Sequence, residues 1–493
     1  MSQTQLPTVP LFINGKEQVP KNAATYEVRN PATGEVVAHT VAASAEDCNA
    51  AIEAAQAAFP AWAATPPGAK AKIFRRAKEV IASPELRAKI VETAHNETGV
   101  AKQWAGVLNS ITDTVFDEAA DTVYHLRGEI LPSDTGSQAA LVQVVPMGVI
   151  FIISPWNAPL LLALSTCLPA IAAGNAVVLK TSEYSPASQL ITAHILKEAG
   201  LPDGVFNVIH TSREDSGPRT SQIIAHPSVR KIGFTGSDRV GKILAAEAAK
   251  HLKPCVFELG GKAPAIVLND ADIDAAARGI VSGAVINSGQ ACIGTERVIV
   301  QRTVSAALIA GIKSVMSAIY AGDTNTDPSA RLSCLFNPAS AQNVVGMVKE
   351  AIEAGAELVV GDLEAKGAFV QPHVVLGAKP GTRLWDRESF GPVLTISVVD
   401  TVAEAVALAN TSTYSLTSSL WTSDVGAALA LAPQIRAGKV IVNNTTLSHE
   451  VRFHQTGLGG SSGYGSFAPE EFVFKQLVSF YKTGGQKFLI TDI

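Results

Sequence analysis

Val149-Ile150-Phe151-Ile152-Ile153-Ser154-Pro155-Trp156-Asn157 decides the fold. Five apolar residues in a row make a strand buried on both faces, because a half-exposed strand would alternate apolar with polar. The polar Ser-Pro-Trp-Asn after it ends the strand in a loop. Outward from this stretch the same pattern repeats. Apolar runs at 176–179, 206–209, 231–234 and 256–259 read as strands, with helix-length segments at 160–173 and 185–199 between several of them. Strand and helix alternating at this spacing predict a doubly wound, mostly parallel sheet. A second α/β series is expected from Ala265 to about Asn443, with strands at 265–268, 298–300 and 440–442.

Upstream, 11–15 and 29–35 read as short strands joined by turns. Cys48, Ile52, Ala55 and Phe59 recur at helical spacing, and Asp47 stands three residues after Ser44 as in a capping box. More helix is expected through about Tyr124. The alternating segment 141–145 and the tail 471–493, with Val473, Val478 and Tyr481, read as extended arms.

A chain of 493 residues exceeds one ordinary core and predicts two or three domains. With 47% hydrophobic and 17% charged residues it is a packed globular protein. A net charge of −5 gives nucleic acid no electrostatic footing. The start has neither a basic n-region nor an apolar h-region, so no secretory signal is expected. The most apolar span, 159–179, is broken by Pro169, Gly174 and Asn175, and reads as helix plus strand rather than a membrane span. Five scattered cysteines without CxxC spacing predict reduced thiols in the cytoplasm, with neither disulfides nor a metal site.

Open α/β sheets bind ligands at the carboxyl ends of their strands. Ser154-Pro155-Trp156-Asn157, Lys180-Thr181-Ser182-Glu183 and Gly233-Phe234-Thr235-Gly236-Ser237 fall there, the last opening a helix through Val240. Glycines and a hydroxyl at a helix N-terminus can cradle a pyrophosphate. The pattern is not GxGxxG, and a plain strand-to-helix turn accounts for the same residues. Lys180 and Glu183 offer a donor and an acceptor to a ribose, and a carboxylate there disfavours a 2′-phosphate, which favours NAD over NADP. Downstream, Asn287-Ser288-Gly289-Gln290-Ala291-Cys292 presents a thiol on a small-residue loop, and Glu258 ends an apolar strand. A nucleophile and a base on separate elements are the minimum for catalysis through a thioester. The other cysteines, Cys48, Cys167, Cys255 and Cys334, read as small core residues.

Taken in order, Pro155-Trp156-Asn157, Leu179 to Glu183, Phe234 to Ser237, Glu258-Leu259-Gly260-Gly261-Lys262, Gly289 to Cys292 and Glu388-Ser389-Phe390-Gly391-Pro392 resemble the aldehyde dehydrogenase superfamily. The resemblance runs from Phe12 to about Gly465. Segments 251–254 and 271–274, with Thr295-Glu296-Arg297, are most similar to the salicylaldehyde, benzaldehyde and vanillin group. It implies a Rossmann-like cofactor domain (1–124 and 146–260), an α/β catalytic domain (261–445), and a small β arm (125–145 and 471–493) through which relatives form dimers or tetramers. It implies that Cys292 attacks the aldehyde, that Asn157 and the Cys292 N–H hold the oxyanion, and that Glu258 activates the hydrolytic water. NAD, or NADP, would rest on Ser154, Pro155, Trp156, Lys180, Ser182, Glu183, Phe234, Thr235, Gly236, Ser237, Val240 and Gly260. Glu388 would hold the nicotinamide ribose, with Phe390 beside the ring.

Alignment onto the family's tunnel puts Asn157, Ala158, Leu162, Ser165, Ala291, Ile293 and Phe453 (or His454) around the substrate. These are small and apolar, which suits an aryl aldehyde, and no cation is evident to hold a substrate carboxylate. The alternative is a semialdehyde or aliphatic substrate. CoA acylation is opposed by Glu258, and a non-catalytic role by the intact trio of Cys292, Glu258 and Asn157. One segment departs from the family. Where many members carry Pro-Phe-Gly-Gly-x-Lys-x-Ser-Gly-x-Gly-Arg, this chain reads Gln455 to Ser466 without the Lys and Arg.

Overall fold

The computed structural model describes residues 6–132, 139–448, 456–481, 483–484, 488 and 490. Its first sheet has eight strands in the order Gly463–Tyr464, Cys255–Glu258, Val229–Thr235, Val149–Ile153, Ala176–Lys180, Phe206–Ile209, Leu11–Ile13 and Lys16–Gln18. The five inner ladder strands from Cys255–Glu258 to Phe206–Ile209 are parallel. Antiparallel strands close both edges. Ile150 and Ile152 enter the core under helix Pro159–Ala172, while Val149, Phe151 and Ile153 enter the core under helix Ala45–Ala63. Both faces of the strand are covered, which is why it carries no polar residue.

The chain steps outward from Val149–Ile153 through Ala176–Lys180 to Phe206–Ile209. It then crosses back to place Val229–Thr235 on the other side. Strand order reverses between Val149–Ile153 and Val229–Thr235, and a crevice at their carboxyl ends is the consequence.

The second sheet has seven strands: Glu357–Val360, His373–Leu376, Val393–Val399, Thr295–Gln301, Ala263–Val267, Thr417–Trp421 and Lys439–Val442. Only Glu357–Val360 is antiparallel. Leu259 to Lys262 is the whole connection from the first sheet to the second. The carboxyl end of one sheet therefore faces the amino end of the other.

Helix Ala45–Ala63 starts with the predicted capping box between Ser44 and Asp47. The N-terminal strands differ from expectation in their pairing. Leu11–Ile13 forms a hairpin with Lys16–Gln18, while Thr25–Arg29 pairs with Val36–Val41, so the stretch after Arg29 is mostly turn. The second-sheet strands begin earlier than their apolar runs, at Ala263 and Thr295, because Thr295, Glu296 and Arg297 are buried by polar partners. The two arms pair with each other: Ala139–Pro146 runs antiparallel to Val473–Phe480 for eight residues, with Glu129–Leu131 outside it. Among the described residues no helix is long and apolar enough to cross a membrane, and no metal-ligand cluster occurs. All five cysteines are free thiols, with Cys255 and Cys292 only partly buried.

Candidate active site

The thiol loop is held by backbone that few side chains tolerate. Asn287, Ser288 and Gly289 all have positive φ, at 48°, 56° and 79°. At Gly289 a Cβ would overlap the Gly391 carbonyl, so only glycine fits. Gln290 locks the approach to Cys292. Its amide donates to the carbonyls of Asn287 (3.0 Å) and Cys334 (3.3 Å) and accepts from the Phe336 N–H (2.8 Å). Ser288 Oγ donates to the Ser333 carbonyl at 2.8 Å. Cys292 is thus presented by a loop whose every neighbour is fixed.

Glu258 ends its strand opposite Thr235 on one side and Gly463 on the other. The Gly236 N–H donates to its carbonyl at 3.1 Å. Gly261 brings this segment to the thiol loop, since a Cβ there would overlap the Cys292 carbonyl. Asn157 does not cap helix Pro159–Ala172. Its amide reaches the Gln290 carbonyl at 3.1 Å, and its own carbonyl accepts from Asn287 Nδ2 at 3.1 Å. Cys292, Glu258 and Asn157 therefore meet at the junction of the two sheets. Burial raises the Cys292 thiol far above its ordinary range, and Glu258 and Glu388 raise it further. The Cys292 side chain therefore rests as a protonated thiol.

Around the crevice the strand-end loops of the first sheet come together. Lys180 is buried, its ammonium donates to the Thr181 carbonyl at 3.3 Å, and burial lowers its pKa. Gln189 ties two strand-end loops together, accepting from the Ser182 N–H (2.7 Å) and donating to the Pro155 carbonyl (2.9 Å). Trp156 stacks on Phe336, with ring centroids 4.2 Å apart, and meets Phe390 edge-on at 5.8 Å. Tyr184 meets Phe336 edge-on at 5.2 Å. Ser237 caps the next helix through the Val240 N–H, and Val240 packs partly into the core. The Phe234 ring lies in that core against Phe257, with its edge under Gly236.

Glu388 is half-buried, accepts the Gly261 N–H at 2.9 Å, and lies so close to Gly260 that a Cβ there would strike its carboxylate. Burial and then Glu296 push it up to about 8. Ala158, Leu161, Leu162 and Ser165 lie half-buried at the start of helix Pro159–Ala172, while Ala291 and Ile293 flank the thiol, also half-buried. A cavity of about 20 Å³, walled by helices 84–98 and 102–125, touches Asn157 and Ala158 but not Leu162, Ser165, Ala291, Cys292 or Ile293. Phe453 and His454 lie outside the described residues.

The described residues fit a dinucleotide. Ser154 Oγ and Thr235 Oγ1 stand at the carboxyl ends of the two strands that flank the order reversal. Both are buried and lack a hydrogen-bond partner among the described residues. Two orphaned hydroxyls at a switch point are what a polar ligand would satisfy. Reading the sequence by motif did not single out Gln189, Gln290 or Glu296 as working parts. Gln189 lies in the first turn of a helix, Gln290 just after the short 286–289 turn and Glu296 near the start of a strand, and none of these positions marks a hydrogen-bonding hub without the fold.

The aldehyde dehydrogenase family profile matches residues 19–478. Vanillin dehydrogenase of Pseudomonas fluorescens is 39% identical over 93% of this chain and 94% of its own. Lactaldehyde dehydrogenase of Escherichia coli is 34% identical over 92% of this chain and 95% of its own. The crystal structure of a salicylaldehyde dehydrogenase from Pseudomonas putida G7 complexed with salicylaldehyde superposes with a TM-score of 0.94 at 32% identity, covering 98% of this chain and all of that one. With likeness of this extent in sequence and in fold, the chain belongs to the aldehyde dehydrogenase family, oxidoreductases that act on aldehydes with NAD(P).

Proposed function

We propose that the enzyme oxidises an uncharged aromatic aldehyde to its carboxylic acid, with NAD favoured over NADP. What carries this reading is the meeting of Cys292, Glu258 and Asn157 at one junction. The Cys292 sulfur attacks the carbonyl carbon, its proton passes to Glu258 or through a water to it and on to solvent, and the oxygen gathers negative charge. The Asn157 amide and the Cys292 N–H would hold that oxygen, a donor pair worth about 3 kcal/mol each at the transition state. NAD(P), when bound, supplies the acceptor for the hydride that leaves the substrate carbon. Glu258 then takes a proton from water as the water attacks the thioester carbon, and the carbon–sulfur bond breaks to return the thiol. Lys180, Ser182 and Glu183 would hold the adenosine ribose, Ser154 to Trp156 and Thr235 to Val240 the phosphates, and Glu388 and Phe390 the nicotinamide side.

Support for an aryl substrate is the small or apolar character of the half-buried Ala158, Leu162, Ala291 and Ile293, with the likeness to enzymes named for vanillin and salicylaldehyde. A cytoplasmic setting fits five free thiols. We divide the chain into a cofactor domain (1–124 and 146–260), a catalytic domain (261–445) and an arm (125–145 and 471–493), with 463–464 returning to the cofactor sheet. Pairing through the arm strand Val473–Phe480, with Phe474, Leu477 and Phe480 exposed, would give a homodimer or homotetramer. The test is NADH or NADPH formation across aryl, aliphatic and carboxylate-bearing aldehydes, with Cys292→Ala alongside. Benzaldehyde-type substrates should give the highest kcat/KM, and the mutant should give none. A preference for semialdehyde acids would sink the aromatic assignment.

A further inference from the structure

Between the pieces of the site lies a buried ion pair that the proposed chemistry does not use. Strand Thr295–Gln301 pairs with Ala263–Val267 as Ala263 to Thr295 and then Pro264 to Arg297, so Glu296 is the extra residue of a bulge. Its other neighbour strand engages only from Arg297. Bulges re-aim a side chain, and this one turns the Glu296 carboxylate towards two other segments. It accepts from the Ser389 N–H at 3.1 and 3.0 Å and from Ser389 Oγ at 2.7 Å, and it pairs with Lys262 Nζ. Both charged groups are buried, Glu296 at 7% exposure and Lys262 at 2%. Arg297, stacked on Trp385, fixes the Lys262 carbonyl from Nε at 2.9 Å.

The positions matter. Lys262 follows Glu258 by four residues, Glu296 follows Cys292 by four, and Ser389 lies between Glu388 and Phe390. The turn at Ser389 is strained, since Phe390 has a φ of 51° and is not glycine. Gly391, next along, is pressed against Gly289 of the thiol loop. A backbone of this kind persists only where its surroundings over-determine it. Glu296 supplies that constraint from one side and Gly289 from the other.

We propose that Glu296 is a positioning residue: it fixes the turn carrying Glu388 and Phe390 and thereby sets nicotinamide-cofactor affinity without touching substrate. The inference rests on the reading that Glu388 and Phe390 face the cofactor. Glu296→Ala removes every hydrogen bond to Ser389. Hydrogen bonds to a charged group are strong enough that the Kd for NAD should rise about tenfold or more. The aldehyde KM, and the rate at which iodoacetamide alkylates Cys292 without cofactor, should stay within about twofold.

Because Glu296→Ala strands the Lys262 ammonium and is liable to unfold, the paired variants Glu296→Gln and Glu296→Gln/Lys262→Met accompany it. Glutamine keeps an acceptor for Ser389, and methionine removes the stranded charge. The double variant should recover both melting temperature and NAD affinity relative to the single one. The readout is direct titration of NAD by calorimetry, with thermal melting in parallel. If melting temperature falls while the folded variants bind NAD as tightly as wild type, Glu296 is only a structural residue and the proposal is overturned. If aldehyde KM rises as much as the Kd for NAD, the role is general to the site and the proposal fails. A wild type that turns over aldehyde while the Glu296 variants match it overturns the inference alone. A wild type that binds no dinucleotide overturns the functional reading with it.

Discussion

Cys292 lies where its thiolate is disfavoured. Its surroundings are buried, and the nearby charges, Glu258 and Glu388, are of the wrong sign to lower a thiol. A raised pKa keeps the proton on sulfur through neutral pH, so reactivity must grow as pH rises. In cofactor-free enzyme the rate of Cys292 alkylation should climb about tenfold per pH unit between roughly pH 7 and 9. A plateau beginning below about pH 8 would show a thiolate stabilised by something other than these neighbours. Attack at neutral pH then requires the proton to leave as the sulfur–carbon bond forms, which assigns Glu258 or a water it orients a part in the first step as well as the last.

Among the elements, the loop from Ile286 to Gly289 is the most constrained. Gly289→Ala would bring a Cβ into the Gly391 carbonyl and ask a side chain to hold a φ of 79°. The thiol should shift by a fraction of an ångström to an ångström, and kcat should fall about a hundredfold. Far-ultraviolet circular dichroism should be unchanged, since the adjoining helix and strand do not depend on that contact. Near-wild-type kcat would mean the loop relaxes freely. What the sequence shows of these elements depends on range. Runs such as Val149 to Ile153 and the Ser44–Asp47 cap are local patterns, and they are plain in the chain. The bulge at Glu296 is not, because it is defined by its partner strand 32 positions away. Nor is Gln189, whose amide joins two loops that only the sheet brings together. Phe234 stands at a strand end beside the crevice, and its ring follows the apolar pattern of the strand into the core.

At the scale of the whole molecule, the arm strand is the exposed part. Phe474 and Phe480 lie on one face of strand Val473–Phe480, and Leu477 lies on the other, all uncovered in the single chain. Apolar residues along an arm of this kind are expected to be covered by another chain. Phe474→Asp with Phe480→Asp should shift light-scattering mass towards the monomer, while a single chain retains its two sheets. An unchanged mass would remove the arm from the assembly.

Synthesis proceeds in one direction, and this fold has a late-made segment cover the edge of a strand made long before it. The strand that ends in Glu258 is covered on its outer side by Gly463–Tyr464, and Ser462 Oγ donates to the Gly260 carbonyl at 2.8 Å. Residue 463 is added 205 positions after residue 258, the difference between the paired positions. At roughly 5–20 residues per second that is an interval of about 10–40 s. Throughout it the nascent chain carries an uncovered edge on the strand that ends in Glu258, a template for misassociation with neighbouring chains. Ribosome-bound intermediates of this protein should therefore depend on chaperones more than the finished enzyme does.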